Sequence, residues 1–353
     1  MSAPLQPTTS SRRKAALWMA VLGTACAGWW GASAMAQSTT EPTNWKPNKQ
    51  VEFIVPSGAG AALDVAARKL TELLTREQLA GSFVVTNKSG AHGIVALESL
   101  HRHNADAHTL MTLSTSYGNS LSQNAIPAHL QKAVPIATLF REFTTVVVRA
   151  DSPIRNAQDL IAALRQDPGK YSVGIATTLG NHIHLGIAAP LQQAGVKVQD
   201  MRIVPYKSSA ESMNALVGGH LDVVSATTPN LLPYLQANRV RVLAIAADQR
   251  LGGAFAQAPT WKEQGIDYVS DSFQGVMTSP NATAAQKQYW EQAIRHVTSL
   301  QEWKDFVALN QWAPFYQGAD ATNQMLAGQV QRSHALLSTL GLLPSTARIA
   351  ALR

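Results

Sequence analysis

Five consecutive small residues, Ser57, Gly58, Ala59, Gly60 and Ala61, separate two stretches of different periodicity. None carries a side chain larger than a hydroxymethyl group, so the backbone N–H groups can come close to a bound molecule. The preceding residues 51–55, VEFIV, are β-branched and aromatic and predict a buried strand that Pro56 ends. After the loop, Leu63, Ala66, Ala67, Leu70, Leu73 and Leu74 fall on one helical face. A strand, a small-residue loop and a helix start together make an anion site. The first amides of a helix have no internal acceptor, and the dipole favours negative charge there. Asp64 lies in the first helical turn, where a carboxylate complements that dipole; it orients the loop or faces the ligand, and the first role is favoured because a carboxylate in the cleft would repel an anion.

The arrangement recurs in the middle of the chain. Residues 171–175 predict a strand, and Ala176-Thr177-Thr178-Leu179-Gly180-Asn181 leads into a helix from about His182. Thr177, Thr178 and Asn181 offer hydroxyl and amide donors for a carboxylate or a hydroxyl, and a cap for the helix. His184, one turn in, reads either as a packed histidine or as a ligand contact. Thr227 and Thr228 follow a predicted strand over 221–225 and precede Pro229, so they are expected to line a cleft. Ser114 heads the polar run that ends a strand over 109–113. His101, His103, His108, His182 and His184 do not make a metal site, because His-x-His on a helix points to different faces and no Cys or acidic cluster completes the set. No Walker loop, G-x-S-x-G elbow, H-E-x-x-H or C-x-x-C occurs, and no cofactor is expected.

These segments need a scaffold, and the chain has room for one. Its 353 residues are 46% hydrophobic and 14% charged, which suits a globular protein with two cores. Strands alternating with helices along the chain predict an α/β fold with a mostly parallel sheet. Arg12, Arg13 and Lys14 precede an apolar run that ends at the A-x-A site Ala34-Met35-Ala36, the pattern of an export signal over residues 1–36. Ser11-Arg12-Arg13 adds a twin-arginine hint. Cleavage after Ala36 would remove three cations, no acid and the sole cysteine, Cys26. The remainder stays mildly basic, which suits an anionic ligand. No basic stripe interleaved with aromatics argues for nucleic acid. Residues 37–50 read as a polar leader.

Several blocks, taken in order, carry a resemblance to a known family. They are Val55-Pro56 with Gly60 and Asp64, then Gly90-Ala91-His92-Gly93, Thr109-Leu110 and Val204-Pro205-Tyr206-Lys207. Gly218-Gly219-His220-Leu221-Asp222, Arg241-Val242-Leu243-Ala244 with Arg250, and Pro259-Thr260-Trp261-Lys262-Glu263-Gln264-Gly265 follow. From Val51 to the C-terminus the chain resembles the solute-binding receptors of tripartite tricarboxylate transporters, the Bug family. The resemblance implies a two-lobed, type II periplasmic-binding-protein-like fold with a ligand cleft between the lobes. Lobe one would hold 51–141 and 252–353, and lobe two 142–251. It implies a periplasmic monomer that takes a small carboxylate to membrane transporter subunits and is not an enzyme. Two other readings use the same scaffold: a sensor's partner that signals by closing, and a hydrolase of a small ester. Family ligands are held largely by amides of the first loop and of a loop starting a second-lobe helix. Here Ala61 and Leu63 stand where the family has Gly and Ser or Thr. Ala176 and Thr178 stand where the family has Ser and Gly, with Gly180 keeping its last Gly; Ser208 replaces Gly, Phe273 replaces Trp, and Ala226 and Thr227 replace Asp and Asn. Loss of that Asp removes an acceptor for an amine, which argues against an amino-acid ligand.

Overall fold

The computed structural model describes residues 45–102, 106–270 and 272–343. The export signal and most of the leader lie outside the described residues. The first sheet begins with β1 (Val51–Val55), β2 (Phe83–Asn87) and β3 (Thr109–Ser114), and these three run parallel. Crossovers α1 (Ala62–Arg76) and α2 (Ile94–Arg102) join them. The strand β4 (Val134–Arg141) follows α3 (Thr115–Ser122). Late in the chain, β10 (Phe273–Thr278) and β11 (Ala313–Gly318) complete an order of β11-β4-β10-β3-β1-β2.

A second sheet of five strands, in the order β7-β6-β8-β5-β9, holds the middle of the chain. Its strands are β5 (Thr144–Arg149), β6 (Ser172–Ala176), β7 (Arg202–Tyr206), β8 (Val223–Thr227) and β9 (Val240–Ile245). Helices α4 (Ala157–Gln166), α5 (His182–Gln193), α6 (Ser209–Val217) and α7 (Thr228–Gln236) connect them. As in the first sheet, a parallel trio, here β7-β6-β8, is flanked by antiparallel strands. The chain ends its described part with α8 (Ala284–Ser299), α9 (Gln301–Leu309) and α10 (Ala319–Thr339). Sequence periodicity predicts only two of these three helices. At Leu300 the backbone turns extended, with φ −62° and ψ 141°, and breaks the run into α8 and α9.

Each sheet has its own core. Phe53, Leu70, Phe140, Trp290 and Trp303 are buried on the first. Val146, Leu160, Leu185, Leu191 and Leu243 are buried on the second. The chain passes between the sheets at residues 142–143 and again before β10. The boundary expected at 252 runs through a segment that packs on the second sheet. Phe255 and Ala258 are buried there, and Trp261 and Ile266 lie in the core with Leu243. The cause is backbone pairing: Thr260 bridges Ile245, and Trp261 N–H donates to the Ile245 carbonyl at 3.1 Å. The helix α10 makes a third crossing. Its Gln329 and Ser333 bind α3, while Leu337 and the following Leu340 are buried with the second sheet's core.

Candidate functional site

Parallel strands release their chain at their carboxyl ends, and ligands of open α/β sheets gather there. In the first sheet those ends are the loop 57–61 after β1 and the α3 start after β3, on neighbouring strands. In the second they are the loop 177–181 after β6 and the α7 start after β8.

The loop 57–61 is shaped from beneath by Asp64. Gly60 takes φ +77°, open to glycine at little cost, and its N–H donates to Asp64 Oδ2 at 2.8 Å. Arg68 Nε donates to the same oxygen at 3.0 Å, and Asn87 Nδ2 donates to Oδ1 at 2.9 Å and to the Ser57 carbonyl at 3.0 Å. Burial raises the Asp64 pKa, but the Arg68, Gly60 and Asn87 hydrogen bonds outweigh it and hold the carboxyl below its ordinary value. With 2% of its surface exposed, Asp64 is turned into the protein. It orients the loop, the first of the two roles its sequence position suggests. Gly58, Ala59, Gly60 and Ala61 are exposed. A Cβ at Gly58 or Gly60 would meet nothing within 4 Å, so the loop faces open space. No side chain caps α1 at Ala61, whereas Asn156, Ser208 and Thr283 cap α4, α6 and α8.

The second loop spends its polar side chains on itself. Asn181 Oδ1 accepts from His184 N–H at 2.9 Å, while its Nδ2 donates to the Ala176 carbonyl at 2.7 Å and to Thr177 Oγ1 at 2.6 Å. Gly180 N–H donates to His184 Nδ1 at 2.9 Å, which makes that nitrogen an acceptor and the ring neutral. Burial pushes the His184 pKa down to about 4, in accord with a neutral ring. Asn181 and His184 are therefore structural members of the loop, and Thr177 and Thr178 are its exposed donors. Thr177 holds φ +61°, and its N–H donates to the Tyr206 carbonyl at 2.7 Å. Thr227 and Thr228 are buried. Thr227 Oγ1 accepts from Asn230 at 2.8 Å, and Thr228 Oγ1 donates to the Gln311 carbonyl at 3.1 Å, so the latter joins the two sheets' structures. Ser114 is buried at the head of α3 with no cap bond.

The helix starts that meet across the junction are those of α3 and α5. Ser116 Oγ lies 3.3 Å from His182 Nδ1, and Gln123 Nε2 donates to the Gly180 carbonyl at 3.1 Å. Loop 177–181 takes part in this contact through the Gly180 carbonyl, and among the described residues no hydrogen bond joins it to loop 57–61. Sequence reading does not anticipate α3. Its polar composition and Gly118 are poor for a helix. It is held from outside: Gln329 donates to Asn119 Oδ1 at 2.7 Å, Ser333 donates to the same oxygen at 2.8 Å, and the backbone N–H of Phe273 donates to Thr115 Oγ1 at 2.8 Å.

Beside that contact lies a cluster that sequence reading also misses. Glu142, in the first crossing, is 5% exposed and Gln274 1%. Ser272 Oγ donates to Glu142 Oε1 at 3.3 Å, and His182 Nε2 lies 3.7 Å from the same oxygen. Glu142 Oε2, His182 Nε2 and both polar atoms of the Gln274 amide have no partner at normal hydrogen-bond distance, although the Gln274 amide faces the Glu142 carboxylate. Burial pushes the Glu142 carboxyl up to about 7, against partial relief from Gln274 and Ser272, and pushes His182 down to about 4. An acid next to Phe143, where the run Phe140-Arg141-Glu142-Phe143 leaves one strand and enters the next, is the sequence signal that could have drawn notice.

Two surface hollows, of about 260 and 390 Å³, are lined by the N-terminal stretch, the end of α1 and residues 78–81 with Tyr289, and by β4, α8 and α10, and by neither loop. No group of three or more His, Cys, Asp and Glu side chains among the described residues could hold a metal ion. No helix among them is long and apolar enough to cross a membrane.

A family model described as the tripartite tricarboxylate transporter family receptor matches residues 66–342. A UPF0065 protein of Cupriavidus necator is 26% identical over 301 residues, covering 84% of this chain and 89% of that protein. Protein BugT of Bordetella pertussis is 24% identical over 295 residues, covering 81% and 87%. In three dimensions the chain is similar to R. palustris Rpa4515 with adipate, with a TM-score of 0.75 over 84% of this chain and 99% of that one, at 22% identity. That last likeness is one of fold.

Proposed function

The chain belongs to the tripartite tricarboxylate transporter receptor family, and from that premise we propose that it is a periplasmic receptor that closes on a small organic carboxylate and hands it to membrane transporter subunits. The observation that carries the reading is the loop 57–61. It is exposed, backed by Asp64, and leads into a helix start with no side-chain cap. The Gly60 and Ala61 amides are engaged by Asp64 and the Gly58 carbonyl, and the Gly58 and Ala59 amides remain at the positive end of the helix dipole to suit a carboxylate oxygen. Ser57, Gly58, Ala59, Gly60 and Ala61 bind one end of the ligand, with Asp64 behind them. Ser114, Thr177 and Thr178 supply further donors, and Asn181, His184, Thr227 and Thr228 hold the walls. Lobe one is built on the six-stranded sheet and lobe two on the five-stranded one, with residues up to Ser270 in the second. Closure is a hinge motion at the crossings, driven by contacts that exist only when both lobes meet. The receptor acts as a monomer and catalyses nothing. The adipate held by the R. palustris relative is a ligand of the class proposed here.

Thermal melting in the presence of mono-, di- and tricarboxylates tests this. A ligand at 100 times its dissociation constant adds about 2.7 kcal/mol of stability. The right acid raises the melting temperature of the wild type. It fails to do so in Gly58→Val/Gly60→Val, whose side chains would fill the space before the amides. A response only to neutral solutes would overturn the reading.

A further inference from the structure

We propose that Glu142, Gln274 and His182 form a second subsite, which receives a protonated amine carried by the ligand. The inference rests on the reading of the crevice as a carboxylate site and adds the group at the ligand's other end.

The argument begins with what is left unpaired. Buried polar atoms nearly always find partners, and a buried carboxylate needs one most. Here the carboxylate oxygen Oε2 of Glu142 has none within hydrogen-bond distance, and the Gln274 amide, which faces that carboxylate without reaching a full hydrogen bond, gives it only partial relief; the two residues are 5% and 1% exposed. Among the described residues no Lys or Arg pairs with Glu142. Its charged-group neighbour is His182, whose Nε2 at 3.7 Å is too far for a hydrogen bond. That imidazole is kept neutral by burial, so the cluster has no cation of its own. Glu142 Oε2 and Gln274 Oε1 are acceptors, and an ammonium group carries three donors and the missing charge. The cluster adjoins the α3–α5 contact, where Ser116 and His182 keep partial exposure, and Glu142 and Ser272 belong to the two crossings. Opening at those crossings uncovers it.

A second carboxylate at this place would face Glu142, so a plain dicarboxylate is disfavoured. Ala226 removes one acceptor from the second lobe, but it lies fully buried in β8, and Glu142 supplies an acceptor from the crossing instead. The subsite proposed here runs against the expectation drawn from Ala226, and the titrations below decide between them. Ser116, His182 and Glu142 also lie in the order of a hydrolytic triad. The 3.7 Å gap leaves the imidazole unoriented by the acid, and a ring protonated only near pH 4 is a weak base.

Calorimetric titration of the full chain with matched pairs tests the subsite: glutamate against glutarate, and 4-aminobutyrate against butyrate. In the wild type the amine-bearing member of a pair binds at least about tenfold tighter. In Glu142→Gln the two members come within about twofold, while the melting temperature without ligand shows the variant folded. Gln274→Leu weakens the amine-bearing member and leaves its partner unchanged. Tighter binding of glutarate or butyrate by the wild type would overturn the subsite and leave the carboxylate reading standing. Binding of simple amines with no response to any carboxylate would do the reverse. A preference that survives Glu142→Gln overturns the subsite, as does steady hydrolysis of p-nitrophenyl acetate that Ser116→Ala abolishes.

Discussion

Replacing Glu142 by Gln should remove a pH-dependent burden from the folded protein. In the native state burial raises this carboxyl from 4.5 to about 7. The neighbours that face it are His182 from α5, Ser272 from the second crossing and Gln274 from β10. Because the folded pKa is the higher one, the native chain holds this proton more tightly than the unfolded chain. Below pH 4.5 both states are protonated and Glu142 costs nothing. As pH rises from 4.5 through 7 the unfolded state ionises first and stability falls, and above 7 the loss levels off. At 1.36 kcal/mol per pH unit the full loss is about 3 kcal/mol. Glutamine does not titrate and keeps the shape. Urea denaturation of both proteins at intervals from pH 4.5 to 8.5 checks this. Other titrating groups cancel in the difference. The variant should gain on the wild type steadily from near zero to about 3 kcal/mol by pH 8. A difference that stays flat, or that has the opposite slope, would refute the claim that burial dominates at Glu142.

Three further outcomes follow from other parts of the site. His182 and His184 have pKa values lowered to about 4, so their contribution is full above pH 6.5 and is lost as pH falls toward 4; in Glu142→Gln, where the opposing carboxyl is gone, urea midpoints should fall over that window, and His184→Gln should flatten the fall. Asp64→Ala strands the Gly60 N–H and takes one of the two acceptors of the Asn87 amide, and should cost about 2 kcal/mol, with ligand affinity reduced more than tenfold because the loop loses its shape; calorimetry and urea midpoints measure the two separately. Gly118→Val places a Cβ about 1.8 Å from Gln329 Oε1, so the Gln329 amide must swing away and give up its bonds to Thr115 and Asn119, or the two helices must part. A loss of about 1–3 kcal/mol is expected in thermal melts, together with weaker ligand binding, and unchanged melting would show that the packing there is loose.

The parts of the site made by near neighbours in the chain are legible without coordinates. Strand β1, its small-residue loop and α1 follow from a change of period over two dozen residues, and the loop–helix unit at 177–181 is read the same way. The role of Asp64 as a loop orienter follows from its place in the first turn. What sequence misreads is decided by contacts from afar. The segment from 252 to 270 joins the second core through the Thr260 bridge to Ile245, a pairing that no local pattern announces.

The sequence by itself determined an α/β chain with two small-residue loops that each lead from a strand into a helix start, because periodicity, small residues and the direction of a helix dipole are local properties. Tertiary structure alone decided which helix start in the first lobe meets α5. That helix, α3, is a poor helix by composition and exists because Gln329 and Ser333 hold it. Tertiary structure also decided that Glu142, His182 and Gln274, far apart in the chain, share one buried place. Their chemistry comes from desolvation and from the absence of partners, and those are properties of packing.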